Sequence, residues 1–259
     1  MSTPPSRPRV LCISGHDPSG GAGIQADIET CAALGVHALS VITAHTVQDT
    51  HNVARVSAVA PILIAAQLSS LIDDAEPHAA KIGLLGDPAQ VDAIAQALRA
   101  LSIPIVMDPV LRAGGGRSLV SAELEAAMID RLFPIVDLLT PNAGEARRLA
   151  RETDLRRCGA ALRALGIKNV LITGGDEPGD LVVDWLFTAD GEAAPLESAR
   201  LPETFHGAGC TLAAAVAAEL ARGRPLREAV ERGRRFVELS LRRAFAVGGG
   251  RRIPGRIAP

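Results

Sequence analysis

At 259 residues, with 47% hydrophobic side chains but only five Phe, one Trp and no Tyr, the chain can bury one sizeable α/β core built from Ala, Val, Leu and Ile. A formal net charge of -2 and the lack of a long basic run argue against nucleic-acid binding as the main task. No apolar run reaches membrane-spanning length, and residues 1–8 are polar and Pro-rich, so a cytoplasmic protein with a frayed start and no membrane partner is expected.

An apolar run at 10–14 reads as a strand ended by Gly15. His16-Asp17-Pro18-Ser19-Gly20-Gly21-Ala22-Gly23 is a loop by composition. A helix is predicted over 24–34, stopped by Gly35. A strand over 36–44 leads into a polar loop over 46–52 and a short strand over 53–59. Pro61 starts a helix to residue 73. A strand over 79–84 is followed by Asp87-Pro88, which caps and starts a helix to residue 101. A strand over 103–107 ends at Asp108-Pro109. Residues 110–119 contain Gly114, Gly115 and Gly116 and read as a mobile flap. Ser121 opens a helix to residue 132, a strand covers 135–139, and Thr140-Pro141-Asn142 begins a helix containing Glu145. A helix over 155–165 precedes a strand over 169–172 and Thr173-Gly174-Gly175. Strands over 180–188 and 193–199 are joined by Ala189-Asp190-Gly191, a hairpin by turn chemistry. A Gly-rich turn over 205–211 and two helices follow.

Strands alternate with helices through the first two thirds, and several strands are continuous apolar runs. That pattern predicts a mostly parallel sheet between helical layers. No internal repeat or linker breaks it, so residues 9–259 are expected to form a single domain. Cys12, Cys31, Cys158 and Cys210 are far apart and form no CxxC pair, which indicates neither a zinc site nor a disulfide framework. The short pieces Arg232-Gly233-Arg234-Arg235 and Arg251-Arg252 read as solvated surface.

Asp17, Gln48, Asp108, Asn142 and Thr173 all fall just past the carboxyl ends of predicted strands, the edge where open α/β sheets bind ligands. The turn Phe205-His206-Gly207-Ala208-Gly209-Cys210-Thr211 runs into a helix rich in Ala, Leu and Val. The first N–H groups of a helix lack partners and carry partial positive charge. Such a turn seats a phosphate, and its field favours the Cys210 thiolate; equally, it is a plain helix start with a core cysteine. Asn142 and Glu145, spaced i, i+3, suit Mg²⁺ held directly or through water, or a helix N-cap with its capping-box Glu. Asp108 before Pro109 is a metal partner or a turn residue.

The stretch from Gly15 to Asp27, Gly-His-Asp-Pro-Ser-Gly-Gly-Ala-Gly-Ile-Gln-Ala-Asp, closely resembles the N-terminal signature of hydroxymethylpyrimidine and phosphomethylpyrimidine kinases. These are thiamine-pathway members of the ribokinase-like superfamily. Val41-Ile42-Thr43-Ala44 with Gln48, Lys81-Ile82-Gly83, Asp108-Pro109-Val110, Thr140-Pro141-Asn142 with Glu145, Asp184-Trp185-Leu186-Phe187 and His206-Gly207-Ala208-Gly209-Cys210-Thr211 follow in family order. The resemblance implies a three-layer α/β/α fold, a homodimer, and use of ATP and Mg²⁺ on a small pyrimidine. The backbone of Gly207, Ala208, Gly209 and Cys210 would form the anion hole, with Cys210 where related kinases carry a catalytic Asp. Asp27, Gln48, Gly15 and Leu84 would bind the substrate. Thr173, Asn142 and Glu145 would bind nucleotide, and Asp108, Asn142 and Glu145 the metal. Pyridoxal or pyridoxine kinase activity and a non-catalytic pyrimidine sensor are the alternatives.

The chain departs from the family pattern in places. Thr173 stands where Lys is usual, and Lys168, Arg112 or Arg117 are candidates to replace that charge. Ala208 replaces Thr, His16 replaces Thr or Ser, and His45 and Asp49 flank Gln48 where an apolar residue and Asn are commoner. The segment after Glu145 is shortened, and the flap lacks the common Lys-Ser-Gly.

Overall fold

The apolar runs form the middle of one nine-stranded sheet in the computed structural model, which describes residues 7–257. The strands are β1 (Arg9–His16), β2 (His37–Gln48), β3 (Val53–Ala58), β4 (Ala79–Ile82), β5 (Ile105–Met107), β6 (Leu138–Leu139), β7 (Asn169–Ile172), β8 (Leu181–Phe187) and β9 (Ala193–Ala199). Their order is β3-β2-β1-β4-β5-β6-β7-β8-β9. β2, β1, β4, β5, β6 and β7 run parallel. β3 and the β8–β9 hairpin are antiparallel at the two edges.

Alternation along each strand divides the core between two faces. Leu11 and Ile13 of β1 face one cluster; Val10 and Cys12 face the other. The first is covered by α2 (Pro61–Ala75), α3 (Pro88–Arg99), α4 (Ala122–Ala127), α5 (Ala143–Ala150) and α6 (Leu155–Ala164). The second is covered by α1 (Gly23–Ala33), α7 (Ala208–Ala221) and α8 (Leu226–Arg242). The three layers expected from the sequence are therefore present. α7 is apolar nearly all round and buried between its neighbours and the sheet, as such a helix must be.

The largest departures from the sequence reading fall in three stretches. β2 continues through Thr46 to Gln48, because these residues pair with β3 and the Thr46 hydroxyl donates to the His16 carbonyl at 2.8 Å; only 49–52 remain a loop. The strand expected over 135–139 shrinks to two residues, since α4 runs on through a π-helical turn at Met128–Leu132 and a 3-10 turn at Phe133–Ile135. The flap is a small hairpin, with Leu119 N donating to Leu111 O at 2.9 Å and Ala113 N to Arg117 O at 2.8 Å. The frayed start lies largely outside the described residues, but Pro8 is anchored: its carbonyl accepts from His37 N at 2.8 Å. Among the described residues no helix is long and apolar enough to cross a membrane.

After α8 the chain doubles back. Phe245 and Ile253 exchange backbone bonds of 3.0 and 2.9 Å, and Arg252 O accepts from His206 N at 2.8 Å. Arg256 then enters the interior, 2% exposed. Its Nε donates to Thr211 Oγ1 and its Nη1 to Glu29 Oε2, both at 2.9 Å, while Nη2 donates to the Gly21 carbonyl. One guanidinium thus ties α1, the first Gly-rich loop and the opening turn of α7 together.

Replacing Arg256 with Ala leaves the buried Gly21 carbonyl and Thr211 hydroxyl without that donor. Arg256→Ala is expected to lose about 3 kcal/mol of stability in urea unfolding, with Arg256→Lys restoring only part because an ammonium lacks the planar fork. An unchanged unfolding midpoint would show that the guanidinium holds nothing.

Candidate active site

The carboxyl ends of the parallel strands open into a cleft of about 1110 Å³. Gly15, Gln48 and Leu84 line it, as do Thr173, Asn142 and Glu145, and Asp108 with residues 207–210. Of the residues expected to form the anion hole or to bind substrate, nucleotide or metal, Asp27 is the one missing from its wall.

The two Gly-rich loops are joined by one carboxylate. Asp17 Oδ1 accepts from the Ser19 amide and hydroxyl, and Oδ2 accepts from Ala22 N, each at 2.8 Å. Oδ2 also lies 2.7 Å from His206 Nε2. Burial works against the Asp17 charge, but the bonds from His206 and Ser19 hold the group below the ordinary carboxylate range. Gly207 has φ +88, and a Cβ there would strike the Gly21 carbonyl. Only glycine satisfies both constraints. No side chain caps α7, so the amides of its first turn remain free to receive an anion. The Thr211 hydroxyl donates to Gly207 O at 2.7 Å and stiffens that turn.

Beneath the cradle lies a buried cluster of charge. Asp27 is fully buried, with Lys81 Nζ at 2.8 Å from Oδ1 and 2.9 Å from Oδ2. Lys81 Nζ also donates to Ser14 Oγ at 3.3 Å. Asp27 is therefore engaged by Lys81 and is not on the cleft wall, where the resemblance implied contact with the substrate. Burial alone would lower the Lys81 ammonium, but Asp27, Cys210 and Asp108 hold it above its ordinary value. Burial pushes Asp108 up to about 6, with Lys81 opposing.

At Cys210 burial and neighbouring charge act against the helix field. A helix start favours thiolate, yet burial and the carboxylates of Asp108 and Asp27 push this half-buried thiol up to about 12, against the pull of Lys81. Loss of hydration and two nearby anions outweigh the helix field.

Asn142 and Glu145 form the capping box that their spacing allows. Asn142 Oδ1 accepts from Glu145 N at 2.9 Å, and Glu145 Oε2 accepts from Asn142 N at 3.1 Å. Glu145 Oε1 accepts from Leu111 N at 2.8 Å, tying the flap to α5. Burial and the neighbouring Asp108 push Glu145 up to about 7. Among the described residues no group of three or more His, Cys, Asp and Glu is gathered for a metal. The donor set suits a hydrated Mg²⁺ beside phosphates, which keeps most of its waters, rather than an ion caged by protein.

The loop after β7 is held from outside. Arg200 donates to the carbonyls of Gly175 and Gly179 at 2.6 Å, and Arg147 makes a bidentate pair with Glu177 at 2.7 and 2.6 Å. Asp184 accepts from Gly174 N at 2.9 Å and from Arg234 Nε at 2.8 Å, so Arg234 is not the solvated side chain expected. Of the cations considered as substitutes at position 173, Lys168 pairs with Asp137 at 2.6 Å, outside the cleft. Arg117 donates to the carbonyls of Val53 and Ala54. Arg112 lines the cleft from the exposed flap. Arg251, expected to be surface, is half-buried in the cleft wall. Sequence reasoning missed Arg251, Arg256 and the Asp17–His206 link; only the family match at Lys81-Ile82-Gly83 pointed toward the buried cluster.

Comparison with known proteins finds relatives over nearly the whole chain. The profile of a family described as phosphomethylpyrimidine kinase matches residues 17–254. The hydroxymethylpyrimidine/phosphomethylpyrimidine kinase of Synechococcus elongatus is 39% identical, covering 97% of this chain and 98% of that one. An ADP complex of Bacillus subtilis pyridoxal kinase superposes with a TM-score of 0.89 at 31% identity, covering 97% of this chain and 98% of that chain. A phosphomethylpyrimidine kinase from Clostridium difficile superposes with a TM-score of 0.79 at 32% identity, covering 91% and 100%.

The raised carboxyls set a pH dependence. Asp108 and Glu145 keep protons in the fold at pH values where the unfolded chain has released them. Both therefore oppose folding increasingly as pH rises from about 4 through about 7. Asp108→Asn is expected to raise the melting midpoint at about pH 8 and to leave it nearly unchanged at about pH 4. It should also shift alkylation of Cys210 to lower pH. Equal changes in melting at both pH values would mean that Asp108 ionises normally.

Proposed function

The chain belongs to the phosphomethylpyrimidine kinase family, and from that premise we propose that it moves the terminal phosphoryl group of ATP onto 4-amino-5-hydroxymethyl-2-methylpyrimidine, onto its monophosphate, or onto both, in thiamine biosynthesis. The observation that carries this reading is the uncapped start of α7, with Cys210 in its first turn, opening into the cleft that Gln48 and Thr173 share.

ATP supplies the phosphoryl group, and Mg²⁺ offsets the charge of its phosphates. The residues divide the remaining work, since phosphoryl transfer needs positioning and charge stabilisation more than covalent help. The backbone N–H groups of Gly207, Ala208, Gly209 and Cys210 receive the oxygens of the moving group. Gln48 offers a donor and an acceptor to the aminopyrimidine edge, and Gly15 and Leu84 give that end its floor. Thr173 and Asn142 shape the nucleotide end, while Asp108 and Glu145 are the residues that would hold Mg²⁺. Asp27 acts from below by fixing the Lys81 ammonium.

Cys210 takes the proton of the hydroxymethyl group. Its thiol keeps its proton through burial and the nearby Asp108 carboxylate, so the alcohol proton passes to sulfur as the thiol proton passes to the Asp108 carboxylate. The monophosphate step needs no alcohol deprotonation and relies on the amide cradle. The structural likeness to the pyridoxal kinase favours pyridoxal as the second acceptor to consider. A homodimer is part of the same proposal, to be read by sedimentation.

A coupled assay offering each acceptor alone with ATP and Mg²⁺ tests the reading. ATP use is expected with one or both pyrimidines and to a lesser extent with pyridoxal. Tight pyrimidine binding in calorimetry beside no turnover of either pyrimidine would end it in favour of a sensor. Cys210→Ala should slow phosphorylation of the alcohol by about 10²–10⁴ and affect the monophosphate step less. Near-normal turnover of the alcohol would remove Cys210 from the proton path.

A further inference from the structure

Phosphoryl transfer gathers negative charge that a cation usually offsets. The cationic side chains around this cleft are mostly committed elsewhere. Arg147 is paired with Glu177, Arg148 with Glu125, Arg234 with Asp184, and Arg200 with the loop carbonyls. Arg112 and Arg235 are exposed to solvent on the flap and on α8. Arg251 differs from all of these, being half-buried in the cleft wall with no hydrogen-bond or ion-pair partner for its guanidinium among the described residues. Partly desolvating an unpaired guanidinium is costly, and an anion arriving in the cleft relieves that cost.

Its position is fixed on three sides. Arg251 N donates to Thr50 O, and the preceding Gly250 N donates to Thr50 Oγ1, both at 3.0 Å. Thr50 lies two residues past Gln48. The next residue, Arg252, accepts from His206 N at 2.8 Å, and His206 directly precedes Gly207. The backbone around Arg251 is thus strapped both to the loop that follows Gln48 and to the turn that leads into the cradle. Its side chain crosses to the flap, where a Cβ on Gly114 would overlap the guanidinium. It lies within electrostatic reach of Asp17 below His206 and of Asp176 beyond Thr173.

Building on the kinase reading, we propose that Arg251 is the cation that meets the migrating phosphoryl group in this chain, supplying from the C-terminal strap the charge that Thr173 does not. The guanidinium offers paired donors to phosphate oxygens, and its contact with Gly114 couples that interaction to the position of the flap.

Two probes of direct binding separate this from a structural role. Calorimetry compares AMP-PCP, which carries a γ-phosphonate, with ADP, which does not. Arg251→Ala is expected to weaken AMP-PCP by about tenfold or more while ADP changes by less than about threefold. In turnover, kcat should fall by about 10²-fold with both acceptors, with little change in acceptor KM. Arg251→Lys should retain part of the rate, and Thr173→Lys added to Arg251→Ala should recover it at least in part. A folded Arg251→Ala chain, judged by its melting, with an unchanged ratio of AMP-PCP to ADP affinity and unchanged kcat would overturn the proposal. So would a loss confined to the monophosphate acceptor with a raised KM, which would assign Arg251 to the acceptor's own phosphate. If the parent chain turns over neither pyrimidine, the kinase reading falls, and the AMP-PCP to ADP comparison still decides the role of Arg251.

Discussion

The fully enclosed guanidinium of Arg256 is the contact on which the geometry of the cleft rests. It reaches the carbonyls of the first Gly-rich loop, the carboxylate of Glu29 and the hydroxyl of Thr211 together. Thr211 in turn grips Gly207. Without this bridge the loop after β1 and the start of α7 would be two separate turns packed on one sheet. With it, and with Asp17 meeting His206 on the other side, they become two walls of one cradle.

The floor of that cradle shows why buried charge must be treated as a set. Lys81, Asp27, Asp108 and Cys210 share a region that water does not reach well. One ammonium there cannot satisfy two carboxylates and a thiolate at once. Asp27 touches Lys81 directly, yet burial raises even its carboxyl, and it raises Asp108 and Cys210 as well. Those two lie at the rim, where exchange with a ligand is possible. The same imbalance that strains the resting protein leaves a proton donor and acceptor side by side where the proposed chemistry needs them.

What the sequence disclosed follows from what has a pattern. Parallel strands announced themselves as apolar runs, and α7 as a Gly-rich turn before a long small-residue helix. The Asn142–Glu145 spacing announced a capping box. Features made by partners distant in the chain stayed hidden. Thr46 and Gln48 looked like loop because they are polar, yet β3 supplies their ladder. Arg251 and Arg256 sit among Gly and Pro and resemble solvated tail, and Arg256's partner Gly21 lies 235 positions away. The thiol of Cys210 was misjudged for a related reason: the helix field is local and readable, whereas desolvation and the neighbouring carboxylates come from the assembled fold.

The strap after α8 also imposes an order in time. Strands and helices all precede it, so a chain leaving the ribosome can lay down its sheet, bury its apolar faces and form α7 before Arg251 and Arg256 emerge. Until they do, the nascent protein has its scaffold but neither the bridge between its two glycine loops nor the half-buried cation of the cleft. The pocket is thus completed only after its scaffold has been made, and a chain cut after α8 would carry these strands and helices but neither arginine of the strap.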